Sequence, residues 1–233
     1  MPRLLFVHGA GGSAHSWDLQ RLAFPDAIVP DLPGHDGFGP GRRTIAAYGE
    51  WLRRTALERA WAPVVLAGHS MGGAIALWYA LEHPRDLDGL VLVAAGARMR
   101  VHPDLLALLR TDYPAAADRI VDMSLAASPR GRLAARLRDA MLAVPQDVTL
   151  GDFEACDAFD VLGKLDAVRL PTLVIVGGED RMTPPKFAEY LHSHIDGSSL
   201  AVIAGAGHMV HLERPREVNQ AIREFRAGLR RGG

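Results

Sequence analysis

Val64-Val65-Leu66-Ala67-Gly68-His69-Ser70-Met71-Gly72-Gly73 is the stretch whose reading decides the fold. Four apolar residues read as a short strand buried on both faces, and the run from Met71 to His83 reads as a helix. Between them the spacing Gly-x-Ser-x-Gly forces a sharp strand-to-helix turn. Glycine is needed on either side of Ser70 because a Cβ there would collide with the adjoining strand and helix, while the serine itself is held in a strained backbone conformation. The hydroxyl then stands at the carboxyl end of a strand and the amino end of a helix. A phosphate-cradling glycine loop is the other turn of this kind, but the Lys-Ser/Thr pair it requires is missing.

Working outward, the same apolar and β-branched character recurs at Leu4 to Val7, Ala27 to Val29, Leu90 to Val93, Thr172 to Val176 and Leu200 to Ile203. Together with Val64 to Ala67 these predict a mostly parallel sheet of about six strands. Helical periodicity lies between them, over Thr44 to Trp61, Met71 to His83, Pro184 to His194 and Pro215 to Arg230, with Pro at plausible first-turn positions in the last two. Strand alternating with helix is the pattern of an α/β doubly wound domain. Residues 97–165 break the rhythm: Leu105 to Leu109, Ile120 to Ala127, Leu133 to Leu142 and the acidic stretch Asp152 to Asp160 all read as helix. We expect a core domain of residues 1–96 and 166–233 and an inserted helical cap of residues 97–165. In the cap, the leucines Leu105 to Leu109 are expected to pack onto the main domain, the arginines from Arg130 to Arg138 to form a solvated face, and the final Arg230-Arg231-Gly232-Gly233 to fray.

A serine hydroxyl is a poor nucleophile near neutral pH unless a base lies within hydrogen-bond reach, commonly a histidine held in one tautomer by a carboxylate. Thr172 to Val176 runs into Gly177-Gly178-Glu179-Asp180, and Leu200 to Ile203 runs into Gly205-Ala206-Gly207-His208. Both loops leave the carboxyl ends of their strands, the side on which Ser70 emerges. Ser70 is therefore the candidate nucleophile, His208 the base and Asp180 its orienting acid. His8, His69 and His211 compete for the base and Glu179 and Asp31 for the acid. His8 and His69 flank the site as candidates for bonding loop backbone, and His211 for packing. The oxyanion that forms on an attacked carbonyl needs fixed donors. The Met71 N–H is one candidate, and the Ala10 N–H in the glycine-rich loop His8-Gly9-Ala10-Gly11-Gly12 is the other. Trp17, Met182 and Met209, each close in sequence to one of these residues, are candidates to line a substrate pocket.

The composition agrees with an enzyme for small molecules. The chain has 233 residues, 48% hydrophobic and 23% charged, with a formal net charge of -1. The basic residues are dispersed rather than gathered in a stripe, which argues against nucleic acid as a partner. No apolar run approaches the roughly 20 residues that a membrane-spanning helix needs. We expect a cytoplasmic protein, monomeric or homodimeric, that requires neither cofactor nor metal. The single cysteine, Cys156, offers no internal disulfide and no metal-ligand pair.

His8-Gly9, Asp31-Leu32-Pro33-Gly34-His35, Gly68-His69-Ser70-Met71-Gly72-Gly73, Gly177-Gly178-Glu179-Asp180 and Gly207-His208, in that order, resemble the α/β-hydrolase superfamily over nearly the whole chain. Within it the sequence looks most like small bacterial carboxylesterases, the pimeloyl-carrier-protein methyl ester esterases among them. It also resembles a menaquinone-pathway synthase that eliminates pyruvate. Members of the superfamily usually place two antiparallel strands before the one that runs into His-Gly, and this sequence departs from them by beginning with that strand. We therefore expect a reduced sheet without the usual first two strands, with Ala27 to Val29 at an edge. The resemblance implies serine-dependent hydrolysis of a small-molecule carboxylic ester, and the modest cap and small overall chain lead us to expect a short to medium acyl chain. The stretch Pro33-Gly34-His35-Asp36 departs from many relatives, and we expect only a local loop change there. Carbon–carbon hydrolysis or pyruvate elimination with the same residues, and a non-catalytic binding protein with a relic site, stay open at this point.

Overall fold

The computed structural model describes residues 1–37, 39–126 and 131–229. They form a parallel sheet of five strands in the order β1 (Arg3–Val7), β2 (Val64–His69), β3 (Leu87–Val93), β4 (Thr172–Gly177) and β5 (Ser199–Ile203). Side chains alternate between two cores along each strand. Leu5, Val7, Leu66, Leu92 and Val174 face one side, while Leu4, Phe6, Val65, Val91 and Ile175 face the other. Helix α2 (Ile45–Glu58), α3 (Met71–Glu82) and α8 (Pro185–His194) cover the first side; α1 (Asp18–Ala23) and α10 (Pro215–Gly228) cover the second. Coverage of both faces is why Leu4 to Val7 in β1, Val64 to Ala67 in β2 and Leu173 to Val176 in β4 are unbroken apolar runs.

Ala27 to Val29 forms less of a strand than its composition predicts. Only Ile28 pairs with β1: its N–H donates to Leu4 and its carbonyl accepts from Phe6, each at 2.8 Å. The next rung of a parallel ladder would need an N–H at position 30, and that residue is Pro30. The segment still fixes the topology. From β1 the chain passes to one side at Ile28, then crosses to β2 on the other, so the switch point of the sheet lies at the carboxyl ends of β1 and β2. A crevice opens at such a point.

Between β3 and β4 the described residues fold as α4 (Pro103–Thr111), α5 (Tyr113–Ser124), α6 (Gly131–Ala143) and α7 (Gln146–Ala158). These make the helical cap. Leu105 and Leu109, one turn apart, bury into a cluster with Tyr113, Ile120, Met141 and Phe153. They help close a core of the cap's own, against which Ala10 and Met182 of the main domain also pack. Arg130, Ala127 and the final four residues lie outside the described residues. Two short helices, α1 and α9 (Val210–Glu213), have no counterpart among the periodic segments of the sequence because so few turns carry no measurable period. Among the described residues no helix is long and apolar enough to cross a membrane.

Candidate active site

β2 delivers Ser70 into a turn with φ 53 and ψ -116, a conformation unfavourable for a residue with a Cβ. The Ser70 N–H donates to Val93 of β3 at 2.9 Å, and its carbonyl accepts from Gly73 and Ala74 in the first turn of α3. A Cβ on Gly68 would lie 2.0 Å from the Gly72 carbonyl oxygen, and one on Gly72 would lie 2.3 Å from that of Val7. Both are backbone collisions that no side-chain motion relieves, so the turn requires glycine at each position. Met71 opens α3, where a backbone N–H has no partner within the helix.

Asp180 and His208 meet in the loops after β4 and β5. Those loops are tied together by Gly178 N–H to Ile203 O and Glu179 N–H to Ala206 O, both 2.8 Å. His208 Nδ1 lies 2.9 Å from Asp180 Oδ2. A carboxylate only accepts, so Nδ1 carries a hydrogen, and in the neutral ring that leaves the lone pair on Nε2. Asp180 also accepts the N–H groups of Met182 and Thr183, each at 2.8 Å, and its Oδ2 lies 2.8 Å from Thr183 Oγ1. Burial alone would raise the Asp180 carboxyl. His208 and the Thr183 donors outweigh it and hold the group below the usual carboxylate range.

Ser70 and His208 both line one cavity of about 570 Å³, along with the backbone of Gly9 to Gly12. Gly9 approaches so closely that a Cβ there would sit 3.2 Å from the Ser70 Cβ. In that loop the Gly12 N–H returns to the Gly9 carbonyl at 3.1 Å and the Gly11 N–H donates to Asp152 at 2.9 Å. Ala10 lines the cavity between them. Most of the wall is apolar, with Ile120, Met141 and Phe153 from the cap and Met182 and Met209 from the loops beside Asp180 and His208. Met182 and Met209 thus line the cavity, and Trp17 does not. Trp17 is fully buried, stacked on Phe6 at 4.7 Å and packed on His211 at 4.5 Å, away from the cavity wall. Its indole is a large apolar surface, and the α1 side of the sheet offers the deeper burial. The Met71 side chain likewise joins the core, leaving only its backbone near the cavity.

The competing residues are engaged elsewhere. Asp31 accepts the Ala14 N–H at 2.7 Å. His8 lies between the Gly9 carbonyl and the Leu32 N–H, and its pKa falls to about 3 through burial and the nearby His35 charge. His69 Nε2 sits 3.0 Å from the His208 carbonyl; burial, then His211 and His208, push its pKa well down. His211 is buried under Trp17, and burial lowers it to about 3. All three are thereby kept neutral near pH 7. Among the described residues no group of three or more His, Cys, Asp or Glu side chains is placed to hold a metal ion.

Sequence reading missed Thr183. Its hydroxyl lies 2.9 Å from the Ala94 carbonyl, 2.8 Å from Asp180 and 3.1 Å from His208 Nδ1. An Asp followed three residues later by Thr is a local side-chain turn signal that could have found it. It also missed a buried set around Asp152, whose partners His35 and Tyr48 are 117 and 104 residues away in sequence. The 33–36 stretch is therefore more than a local loop change, because His35 carries one end of that set.

The chain matches the model of the Alpha/beta hydrolase family over residues 4–221. It is 31% identical to a pimeloyl-[acyl-carrier protein] methyl ester esterase of Neisseria meningitidis serogroup B, across 98% of this chain and 94% of that protein. Among solved structures it superposes on a thermophilic esterase with a TM-score of 0.87 at 32% identity, covering 98% of this chain and 91% of the other. A malate-bound thermophilic esterase from Thermogutta terrifontis gives a TM-score of 0.87 at 29% identity, covering 98% and 90%.

Proposed function

This chain belongs to the alpha/beta hydrolase family, and from that premise we propose that it is a serine esterase that cleaves small carboxylic esters through an acyl-enzyme. The observation that carries the reading is the meeting of Ser70 and His208 on one largely apolar cavity at the carboxyl ends of the strands, with the buried Asp180 against His208 Nδ1. His208 Nε2 takes the Ser70 proton as Oγ attacks the ester carbonyl. The imidazolium that results is stabilised by Asp180, and the oxyanion is held by the N–H groups of Met71 and Ala10. His208 then gives its proton to the departing alcohol. It next draws one from water, whose attack on the acyl-enzyme releases the acid and restores Ser70.

A cavity of about 570 Å³ lies within the usual range for small ligands, and its apolar wall suits a short to medium acyl chain. The relatives named as esterases support the ester as substrate class. Elimination from a polyanionic substrate has less support, because it wants several arginines facing Ser70. Arg98 pairs with Asp160 at 3.6 Å and Arg181 with Asp122 at 3.5 Å, leaving Arg100 and Arg136 on the cavity wall.

The test is turnover of p-nitrophenyl esters of graded acyl length by the wild type and by Ser70→Ala. Serine-dependent turnover with an optimum at short to medium chains is the expected result. Equal turnover by Ser70→Ala would remove the mechanism, and a wild type inert toward every ester would remove the substrate class.

A further inference from the structure

We propose that Asp152, a cap residue, is a positioning residue for the oxyanion hole, acting through the Gly11 N–H on the Ala10 peptide. The inference rests on the reading of Ala10 as an oxyanion donor.

Asp152 is fully buried on α7, and each of its oxygens is engaged by a different part of the chain. Oδ2 accepts the Gly11 N–H at 2.9 Å and lies 2.7 Å from His35 Nε2; Oδ1 accepts from the Tyr48 hydroxyl at 2.6 Å. One carboxylate thus pins the loop after β1, the loop after Ile28 and helix α2 to the cap. The buried Thr149, one turn earlier on the same face of α7, packs against Gly11. A Cβ on Gly11 would meet its Cγ2 at 2.9 Å, and Gly11 has φ +60. So α7 grips the oxyanion loop by a hydrogen bond and by shape at the same residue.

The geometry around Ala10 shows what that grip does. The Gly9–Ala10 peptide has its carbonyl held by His8 Nδ1 at 2.9 Å and by the Gly12 N–H at 3.1 Å. In a trans peptide the N–H points opposite to the carbonyl, so that pair of bonds aims the Ala10 N–H. The next peptide, Ala10–Gly11, has its N–H fixed on Asp152. With the planes on both sides of Ala10 set, the donor cannot swing as charge develops, and a donor that need not reorganise is the effective kind. The bond to Asp152 also keeps the Gly11 N–H from competing for the oxyanion.

A buried carboxylate beside an oxyanion hole would oppose the developing charge unless it were neutralised. His35 supplies the countercharge. Its Nε2 faces Asp152, and its Nδ1 lies 3.2 Å from the Pro33 carbonyl. Two acceptors at the two ring nitrogens require hydrogen on both, which is the imidazolium. Burial alone would lower the His35 pKa, but Asp152 outweighs it and the net shift is upward.

Asp152→Ala removes the acceptor for Gly11, Asp152→Asn keeps one, and Tyr48→Phe removes a hydrogen bond from the same carboxylate without touching Gly11. In the Asn variant the amide oxygen takes the Oδ2 position, accepting from Gly11 and from His35 Nε2, and the amide nitrogen donates to the Tyr48 oxygen. Sites are counted by exhaustive titration with a fluorophosphonate, and kcat per site, KM and the Ki of a trifluoromethyl ketone, which forms an oxyanion on Ser70, are compared. For Asp152→Ala we expect kcat per site to fall about 10- to 100-fold, the loss typical of a misplaced catalytic group. KM should stay within about threefold and the ketone Ki should weaken in proportion to kcat, with Asp152→Asn and Tyr48→Phe staying within about tenfold of wild type. Should Asp152→Ala not fold, Asp152→Leu/His35→Leu leaves no orphaned charge and should show the same kinetic loss. Unchanged kcat per site with only a lower Tm would overturn the inference, as would an Asn variant as slow as Ala. A wild type without serine-dependent ester turnover would instead remove the reading of the site on which the inference rests.

Discussion

Replacing Asp180 by Asn changes one oxygen to an NH2 and should nearly silence the enzyme while leaving it folded. Asp180 Oδ1 accepts two backbone N–H groups, from Met182 and Thr183, each at 2.8 Å. An Asn must place its oxygen there, because two donors cannot face an NH2. The NH2 then points at Thr183 Oγ1 and His208 Nδ1, which now lie 2.8 Å and 2.9 Å from Oδ2. The hydroxyl can adapt by accepting from it while donating to the Ala94 carbonyl. The imidazole can adapt only by accepting at Nδ1, which moves its hydrogen to Nε2, toward Ser70. In that tautomer His208 cannot take the serine proton. A wrong-tautomer substitution of this kind costs about 10⁴ in kcat, or roughly 5 kcal/mol of barrier. The assay is kcat for a p-nitrophenyl ester at pH 7 to 8, with a thermal melt alongside. A folded variant within tenfold of the wild type would refute the tautomer reasoning and return the acid role to open competition.

Three further outcomes follow from the same coordinates. A Cβ on Gly177 would lie 2.2 Å from the Gly207 carbonyl oxygen and 2.4 Å from that of Ala206, so Gly177→Ala should push the Asp180 and His208 loops apart. We expect a loss of about 1–3 kcal/mol of stability together with slower turnover; wild-type Tm and kcat would show the strands to be less tightly coupled than described. Ser70→Gly relieves the positive φ of the elbow, so it should be inactive yet at least as stable as the wild type to urea, the relief of about 1–3 kcal/mol outweighing the flexibility gained in the unfolded chain. A clearly lower urea midpoint would mean that the turn stores no strain. Acid should destabilise the fold early. His8 and His211 are held to about 3, and His69 is also lowered, from an ordinary 6.5. Below pH 6.5 the unfolded chain therefore binds protons that the folded chain refuses, and stability falls as pH drops, by at most roughly 4 kcal/mol per pH unit for three such groups. Asp180, with its lowered pKa, adds a loss only below the ordinary carboxylate range. A urea midpoint unchanged between pH 7 and pH 5 would sink this prediction.

What the sequence made legible was local. The β2 run and the glycines around Ser70 announce a turn whose requirements are set within a few residues, and Gly177 to Asp180 and Gly207-His208 do the same at the ends of β4 and β5. The weak strand at Ala27 to Val29 was legible in composition but not in pairing, because Pro30 withholds its contribution only once the register with β1 is known. Trp17 shows the limit of neighbourhood in sequence: it follows the glycine-rich loop after β1, yet its ring turns to Phe6 and the opposite core. The Asp152 set was hidden for a deeper reason. In sequence Asp152 is one acid in an acidic helix, the kind normally found in solvent. Its burial depends on His35, Tyr48 and Gly11, brought to it only by the finished fold.

The most direct measurement on the central claim is the mass of the intact chain after brief reaction with an activated ester or a fluorophosphonate, followed by mapping of the modified peptide. A serine esterase built as described should gain one adduct per chain, on Ser70, and His208→Ala should label far more slowly. An adduct on any other residue, or an unlabelled wild type that nonetheless hydrolyses esters, would contradict Ser70 as the nucleophile.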